Sequence, residues 1–403
     1  NPYRYCNTKR NKTDIYSAEN RQIARDVAAE TFVLLKNEGN LLPLKKQGKI
    51  ALIGPLADTR NNIAGTWSVA QAPEKYTTIK EAMEKALDGK ATLLYAQGSN
   101  IWRDRELQKN GEQGKSIAWG DEVKMKNEAL QIAKEADVIV CAMGETADMS
   151  GECASRTNLE MPDVQQELLA ELAKMGKPVV LLNFAGRPTV LSWEKEHIPA
   201  IMNVWFGGSE VGDALCDVIF GDKVPSGKLT TSMPKTTGQE PLYYNHQNTG
   251  RPVPDDNQKF AKFANNCMDV SNGPLYPFGY GLSYTTFEYG DLKLSSHQVN
   301  MDDWKITATI NVKNTGSRDA DEVVQLYIRD MVASISRPVK ELKGFQRINL
   351  TAGESREISF DITPEMLKFY NAELKHVIEP GDFQIMVGGN SKEVKTQNLT
   401  VKN

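Results

Sequence analysis

The sequence predicts an α/β domain built on a mostly parallel sheet, followed by an all-β sandwich domain. Two patterns carry that expectation. From about 18 to 235, strand-like apolar runs alternate with amphipathic stretches, and after 290 the apolar residues recur with period two. Between them, around 235–285, Pro234, Pro241, Pro252, Pro254, Pro274 and Pro277 break both patterns. A chain of 403 residues has room for two or three domains of about 150 residues, so a single small module is ruled out.

The strand candidates of the first part are KIALIG (49–54), ATLLYAQG (91–98), DVIVCAMG (137–144), PVVLLNFAG (178–186) and AIMNVWFGG (200–208). They are nearly continuous apolar runs, as strands covered on both faces require. Between them the stretches 78–88, 121–136, 163–175 and 209–220 read as helices; Val164, Leu168, Leu169 and Leu172 share one helical face. An opening helix is expected over 18–39, ending at Gly39. Several strands end in glycine-containing loops, at Gly54, Gly98, Gly144, Gly186 and Gly207–Gly208. Open α/β sheets bind ligands outside the carboxyl ends of their strands, which directs attention to these loops.

The irregular stretch holds Tyr243, Tyr244, Tyr276, Phe278, Tyr280 and Tyr284, too many rings to leave in water, so it reads as an ordered connector. Beyond it Ile306, Ala308, Ile310 and Val312 alternate, as do Ile358, Phe360 and Ile362, and then Phe383, Ile385 and Val387. That pattern fits a β-sandwich of immunoglobulin or fibronectin type III size. The expected divisions are 1–40 (linker and first helix), 41–235 (α/β domain), 236–289 (connector) and 290–403 (sandwich).

Lys plus Arg (48) nearly balances Asp plus Glu (52), which offers no general field for nucleic acid or an anionic membrane. No run reaches the roughly 20 apolar residues of a membrane-spanning helix. The five cysteines are widely spaced, with no C-x-x-C pair and no histidine placed to complete a zinc site, so free thiols and no metal or cofactor are expected. Residues 1–17 carry neither Met nor an apolar signal-peptide core and read as the interior of a longer chain.

No GxGxxG follows a strand and no P-loop sequence occurs. GGSEV at 207–211 approaches a nucleophile elbow, but Val211 replaces the last glycine, and the four histidines give no triad order. Ser209 reads instead as the N-cap of the helix that follows. The informative segment is MGETADMSGECASRTNLEMP (143–162), a polar loop after a buried strand that carries Glu145, Asp148, Glu152 and Arg156. Glycoside hydrolysis needs two carboxyl groups, and this loop supplies candidates for one. The plain alternative is that Glu152 and Arg156, four residues apart, form a surface ion pair.

KNEGNLLPL, IALIGPLAD, SGECASRTNLEMP, NVWFGGSEVGDALCDVIFGDKVPSGKLTTSMP, PLYYNHQNTGRP and YPFGYGLSYTTF, in this order, resemble the carboxyl-terminal half of family-3 glycoside hydrolases, in particular bacterial periplasmic β-glucosidase-like members. The resemblance implies an α/β sandwich domain followed by a fibronectin type III-like domain, with a (β/α)8 barrel ahead of both that this sequence does not contain. It implies a retaining, exo-acting hydrolase of O-glycosyl bonds in a glycoside or oligosaccharide, working in the periplasm or outside the cell. The nucleophile would lie on the barrel. In many members a loop glutamate is the acid/base, which the SGE motif places on Glu152, with Glu145 and Arg156 as substrate-binding residues. In others the acid/base comes from the barrel, leaving Glu152 as a sugar-contacting or interface residue. The rival expectation is a non-catalytic carbohydrate-binding or structural module. A homo-oligomer is also expected, and so is a 144–160 loop that is poorly ordered or exposed.

Overall fold

The computed structural model describes residues 1–403 except 69–71, 112–113, 254–255 and 302, and leaves the side chains of 2, 8, 11, 12 and 115 undescribed. The chain forms two compact units: residues 1–189 with 193–227, and residues 190–192 with 228–403. The first division thus falls at 227/228, earlier than 235, and residues 1–40 belong to the α/β unit.

The first unit opens with α1 (Ala18–Thr31), started by Ser17, whose hydroxyl accepts from the Asn20 N–H. The helix stops eight residues short of Gly39, because Val33–Asn37 is extended and forms β1. β2 (Lys49–Ile53), α2 (Ile79–Leu87), β3 (Thr92–Ala96), α3 (Glu122–Glu135), β4 (Val138–Gly144), α4 (Asp163–Ala173), β5 (Val179–Phe184), α5 (Ser192–His197), β6 (Ala200–Asn203) and α6 (Val211–Ile219) follow. The sheet order is β1-β6-β5-β4-β2-β3. β2 to β6 run parallel, with Ile50 opposite Val138, Ile139 opposite Val179 and Val180 opposite Ala200, whereas β1 closes the edge antiparallel to β6. The sheet is therefore mixed, with one reversed strand.

Local chemistry explains the helix starts. Thr78 and Glu81 form a reciprocal capping box on α2, and Asp121 caps α3 by accepting from the Lys124 N–H. In α4 the predicted face, Val164, Leu168, Leu169 and Leu172, is buried. The expected cap of α6 is displaced by one residue: Glu210 holds the N-cap position, and its carboxylate takes two hydrogen bonds from Arg21 instead, at 2.9 and 3.0 Å.

β3 and β4 flank β2 on opposite sides, so the order reverses direction at the β2–β4 boundary. The loops after β2 and β4 leave the sheet from the two sides of that switch point, the place where open α/β sheets hold ligands.

In the second unit β10 (Ile306–Asn314) pairs with β13 (Ser355–Ile362), β7 (Phe287–Tyr289) and β8 (Lys293–Leu294) in one sheet. The other sheet runs β12 (Glu341–Leu350), β11 (Ala320–Asp330), β14 (Gly381–Gly388), β15 (Val394–Lys402), β9 (Gln298–Asn300). Ile306, Ala308, Ile310, Val312, Val324, Leu326, Ile358, Phe360, Ile385 and Val387 share one core, the inward set that period-two alternation demands. The connector rings divide: Tyr276 is buried and Tyr244 stacks on Phe278 at 4.1 Å, but Tyr243 is exposed. Among the described residues, no helix is long and apolar enough to cross a membrane.

Candidate active-site loop

β4 is buried from Ile139 onward and delivers its last residue, Gly144, at φ +125°. A side chain there would meet the Phe184 carbonyl at 2.1 Å, so only glycine allows the chain to turn this close to β5. The Glu145 N–H then donates to the same carbonyl at 2.8 Å, and the turn points the Glu145 side chain inward. Its side chain is 1% exposed.

That buried charge is met from three directions. Arg156 donates from Nη1 to Oε1 at 2.7 Å, Arg187 places Nε 3.2 Å from the same oxygen, and the Gly186 N–H donates to Oε2 at 3.2 Å. Both guanidinium groups go on to hold backbone. Arg156 donates to the Glu160 carbonyl at 2.9 Å and lies 5.3 Å over the Trp102 ring. Arg187 donates to the carbonyl of Met149 and, at 2.7 Å, to that of Ala154. A carboxylate with two arginines and a backbone donor is the paired state in which a buried charge is tolerated.

Within this frame sits the turn Gly151–Glu152–Cys153, exposed at all three positions. Gly151 has φ +108° and Cys153 φ +59°. A side chain at Gly151 would meet the Thr66 methyl at 2.1 Å, so the loop after β4 packs directly on the loop after β2 across the switch point. Among the described residues the Glu152 carboxylate has no hydrogen-bond or ionic partner. The other acids of the loop are engaged: Glu145 as above, Asp148 by the Gly114 N–H at 2.7 Å, Glu160 by Asn158 at 3.2 Å.

Behind the turn a cavity of about 440 Å³ is lined by Trp102, Leu107, Gln108, Asp148, Ser155 and Arg156, among others. Beyond the loop, burial and the nearby Glu160 charge raise the α5 carboxyl of Glu194 to about 7. No group of three or more His, Cys, Asp or Glu among the described residues could hold a metal ion.

Of the residues singled out from sequence, Glu145 and Arg156 come together and Glu152 stands apart. The surface pair Glu152–Arg156 does not form, because Gly144 turns Glu145 back onto Arg156 first. The loop is also only partly exposed: 145–150 are buried apart from half-buried Asp148, and 151–153 are exposed. Sequence reasoning missed Arg187 and Trp102. A charged residue three positions after the buried strand β5, in NFAGRP, was the available signal for the first. Nothing in the local pattern marked the second.

The description of the glycosyl hydrolase family 3 C-terminal domain matches residues 32–284, and that of the fibronectin type III-like domain matches residues 322–391. The chain is 44% identical over 400 residues to a periplasmic beta-glucosidase of Salmonella typhimurium, covering 98% of this chain and 52% of that protein. It is 36% identical over 392 residues to a beta-xylosidase of Formosa agariphila, covering 95% and 50%. Among solved structures, a beta-glucosidase from Listeria innocua in complex with isofagomine superposes with a TM-score of 0.88 at 35% identity, over all of this chain and 53% of that one. The chain spans about half the length of the curated relatives it matches.

Proposed function

The chain belongs to glycosyl hydrolase family 3, and on that premise we propose that it is the carboxyl-terminal portion of a retaining, exo-acting β-glycosidase. It lends its 144–160 loop to an active site completed by a barrel domain. The observation that carries this reading is Glu152: a carboxyl group with no partner among the described residues, presented by a constrained turn at the switch point of the sheet.

In this reading Glu152 is the general acid/base. It gives its proton to the glycosidic oxygen as the C1–O bond breaks, while a carboxylate on the barrel attacks C1 from the opposite side, about 5–5.5 Å away. It then takes a proton from water as that water displaces the enzyme carboxylate. Two carboxyl groups and water suffice, and no cofactor takes part. Glu145 acts behind the turn, and Arg156, on the cavity wall beside Trp102, is the member of that pair positioned to meet a sugar hydroxyl. The substrate is a β-linked glucoside or xyloside, the classes named for the Salmonella and Formosa relatives. The Salmonella relative's name supports a periplasmic or secreted location.

The test joins this chain to the amino-terminal half of the Salmonella enzyme. Glu152→Ala should slow glucosides with poor leaving groups far more than activated aryl glucosides, by something like the 10²–10⁴-fold of general acid catalysis. Azide should restore turnover and yield a β-glycosyl azide. Equal losses on both substrate classes without rescue would move the acid/base to the barrel, and retention of full activity would favour a structural role for the loop.

A further inference from the structure

We infer that Arg187 is a positioning residue that holds the Glu152 turn in its working conformation; this role rests on the acid/base reading above. Arg187 stands just past the carboxyl end of β5, on a different loop from the one it grips, with one-fifth of its side chain exposed. Its Nη2 donates to the Met149 carbonyl and to the Ala154 carbonyl. Those carbonyls bracket the turn, three residues before Glu152 and two after it. One nitrogen thus fastens both ends of the segment whose middle carries the acid.

The rest of the group fixes the fastener. Nε lies 3.2 Å from Glu145, whose side chain is 1% exposed and whose other oxygen takes the Gly186 N–H from the residue before Arg187. Glu145 begins the loop and Arg187 closes on its middle, so an ion pair and backbone hydrogen bonds tie the loop, its first residue and the β5 terminus together. Arg156 supports the same carboxylate from the far side of the turn. Gly151 resting on Thr66 supplies the remaining wall.

The turn itself has little else to hold it. Residues 151–153 are exposed, and Cys153, which is not a glycine, has φ +59°, a conformation that persists only when the surroundings impose it. A proton donor works only within hydrogen-bond reach of the glycosidic oxygen, and a displacement of about 1 Å can cost about 100-fold in rate. A lysine at 187 keeps the charge opposite Glu145 but lacks the fork that reaches two carbonyls while facing a carboxylate.

The experiment has two arms. In the chain as it stands, Arg187→Ala should speed amide hydrogen exchange across 150–157 by at least about tenfold while leaving β2 and β5 protected, and Arg187→Lys should give a smaller increase in the same segment. In the enzyme assembled with the Salmonella half, Arg187→Ala should lower kcat on methyl β-glucoside by about 100-fold with KM nearly unchanged, and cost much less on a dinitrophenyl glucoside. Arg187→Lys should recover part of that kcat. Should the alanine variant fail to fold, the lysine variant carries both arms. Unchanged exchange at 150–157, or equal losses on both substrates, overturns the positioning role. A Glu152→Ala enzyme with no dependence on leaving group overturns the acid/base reading instead, and leaves the exchange arm to judge the clamp.

Discussion

Glu145 shows how far a residue's role can depart from its residue type. In the sequence it is a loop acid beside another loop acid, and only the turn at Gly144 makes one of them buried and the other free. The partner of Glu145 lies 11 residues ahead, beyond the reach of any i,i+4 count, which is why the sequence paired Arg156 with the wrong glutamate. Removing one member of a buried, hydrogen-bonded charge cluster leaves the others uncompensated. Glu145→Ala should therefore cost about 3–5 kcal/mol in urea unfolding of the first unit. A loss below 1 kcal/mol would show that solvent reaches the arginines. Glu194 gives a pH prediction. Its carboxyl is raised from 4.5 to about 7 by burial, so between those values the folded protein holds a proton that the unfolded chain has released. Stability falls as pH rises through that window, by about 3 kcal/mol in full, and Glu194→Gln should flatten that part of the pH–stability curve.

The parallel core was legible element by element because buried strands leave apolar runs and helices leave faces with period 3.6. β2 to β6 and α2, α3, α4 and α6 lie where those signals put them, within a few residues. What failed was the join at Phe32: TFVLLKN continues an amphipathic helix in composition, and only pairing with β6 makes 33–37 a strand. Pairing partners from the far end of a domain leave no local trace. The Glu152 turn was legible as a polar loop with an acid, but its anchorage was not, since it depends on Arg187 from the next crossover and Thr66 from an earlier one. Gly151→Ala tests that anchorage directly. With φ at +108° and the Thr66 methyl 2.1 Å from the added carbon, the turn must shift, at a cost of about 1–3 kcal/mol. Faster exchange at 150–157 and a lower kcat in the assembled enzyme are expected; unaltered exchange would show that the turn has room.

At the scale of the whole chain, a retaining mechanism needs two carboxyl groups and this loop presents one that is free. The purified chain alone should hydrolyse aryl β-glucosides no faster than buffer. Ordinary enzyme turnover by it would place the nucleophile within these residues. The chain also shows Ile23 and Val27 one turn apart on the outer face of α1, both more than half exposed, with exposed Ile15, Tyr3 and Tyr5 before them. Apolar groups spaced this way favour association, and sedimentation at rising concentration should reveal reversible self-association. A strict monomer at high concentration would count against it.

The reversed edge strand sets a timetable for biosynthesis. β1 is synthesised well before β6, its one strand partner among the described residues, which begins at Ala200. At about 5–20 residues per second the ribosome needs roughly 10–30 s to cover that interval. Throughout it, Val33, Leu34 and Leu35, all fully buried in the finished sheet, have nowhere to pair. The nascent segment is thus a natural binding site for a chaperone during translation, and truncation before Ala200 should leave a product that aggregates even though four of the five parallel strands are already present.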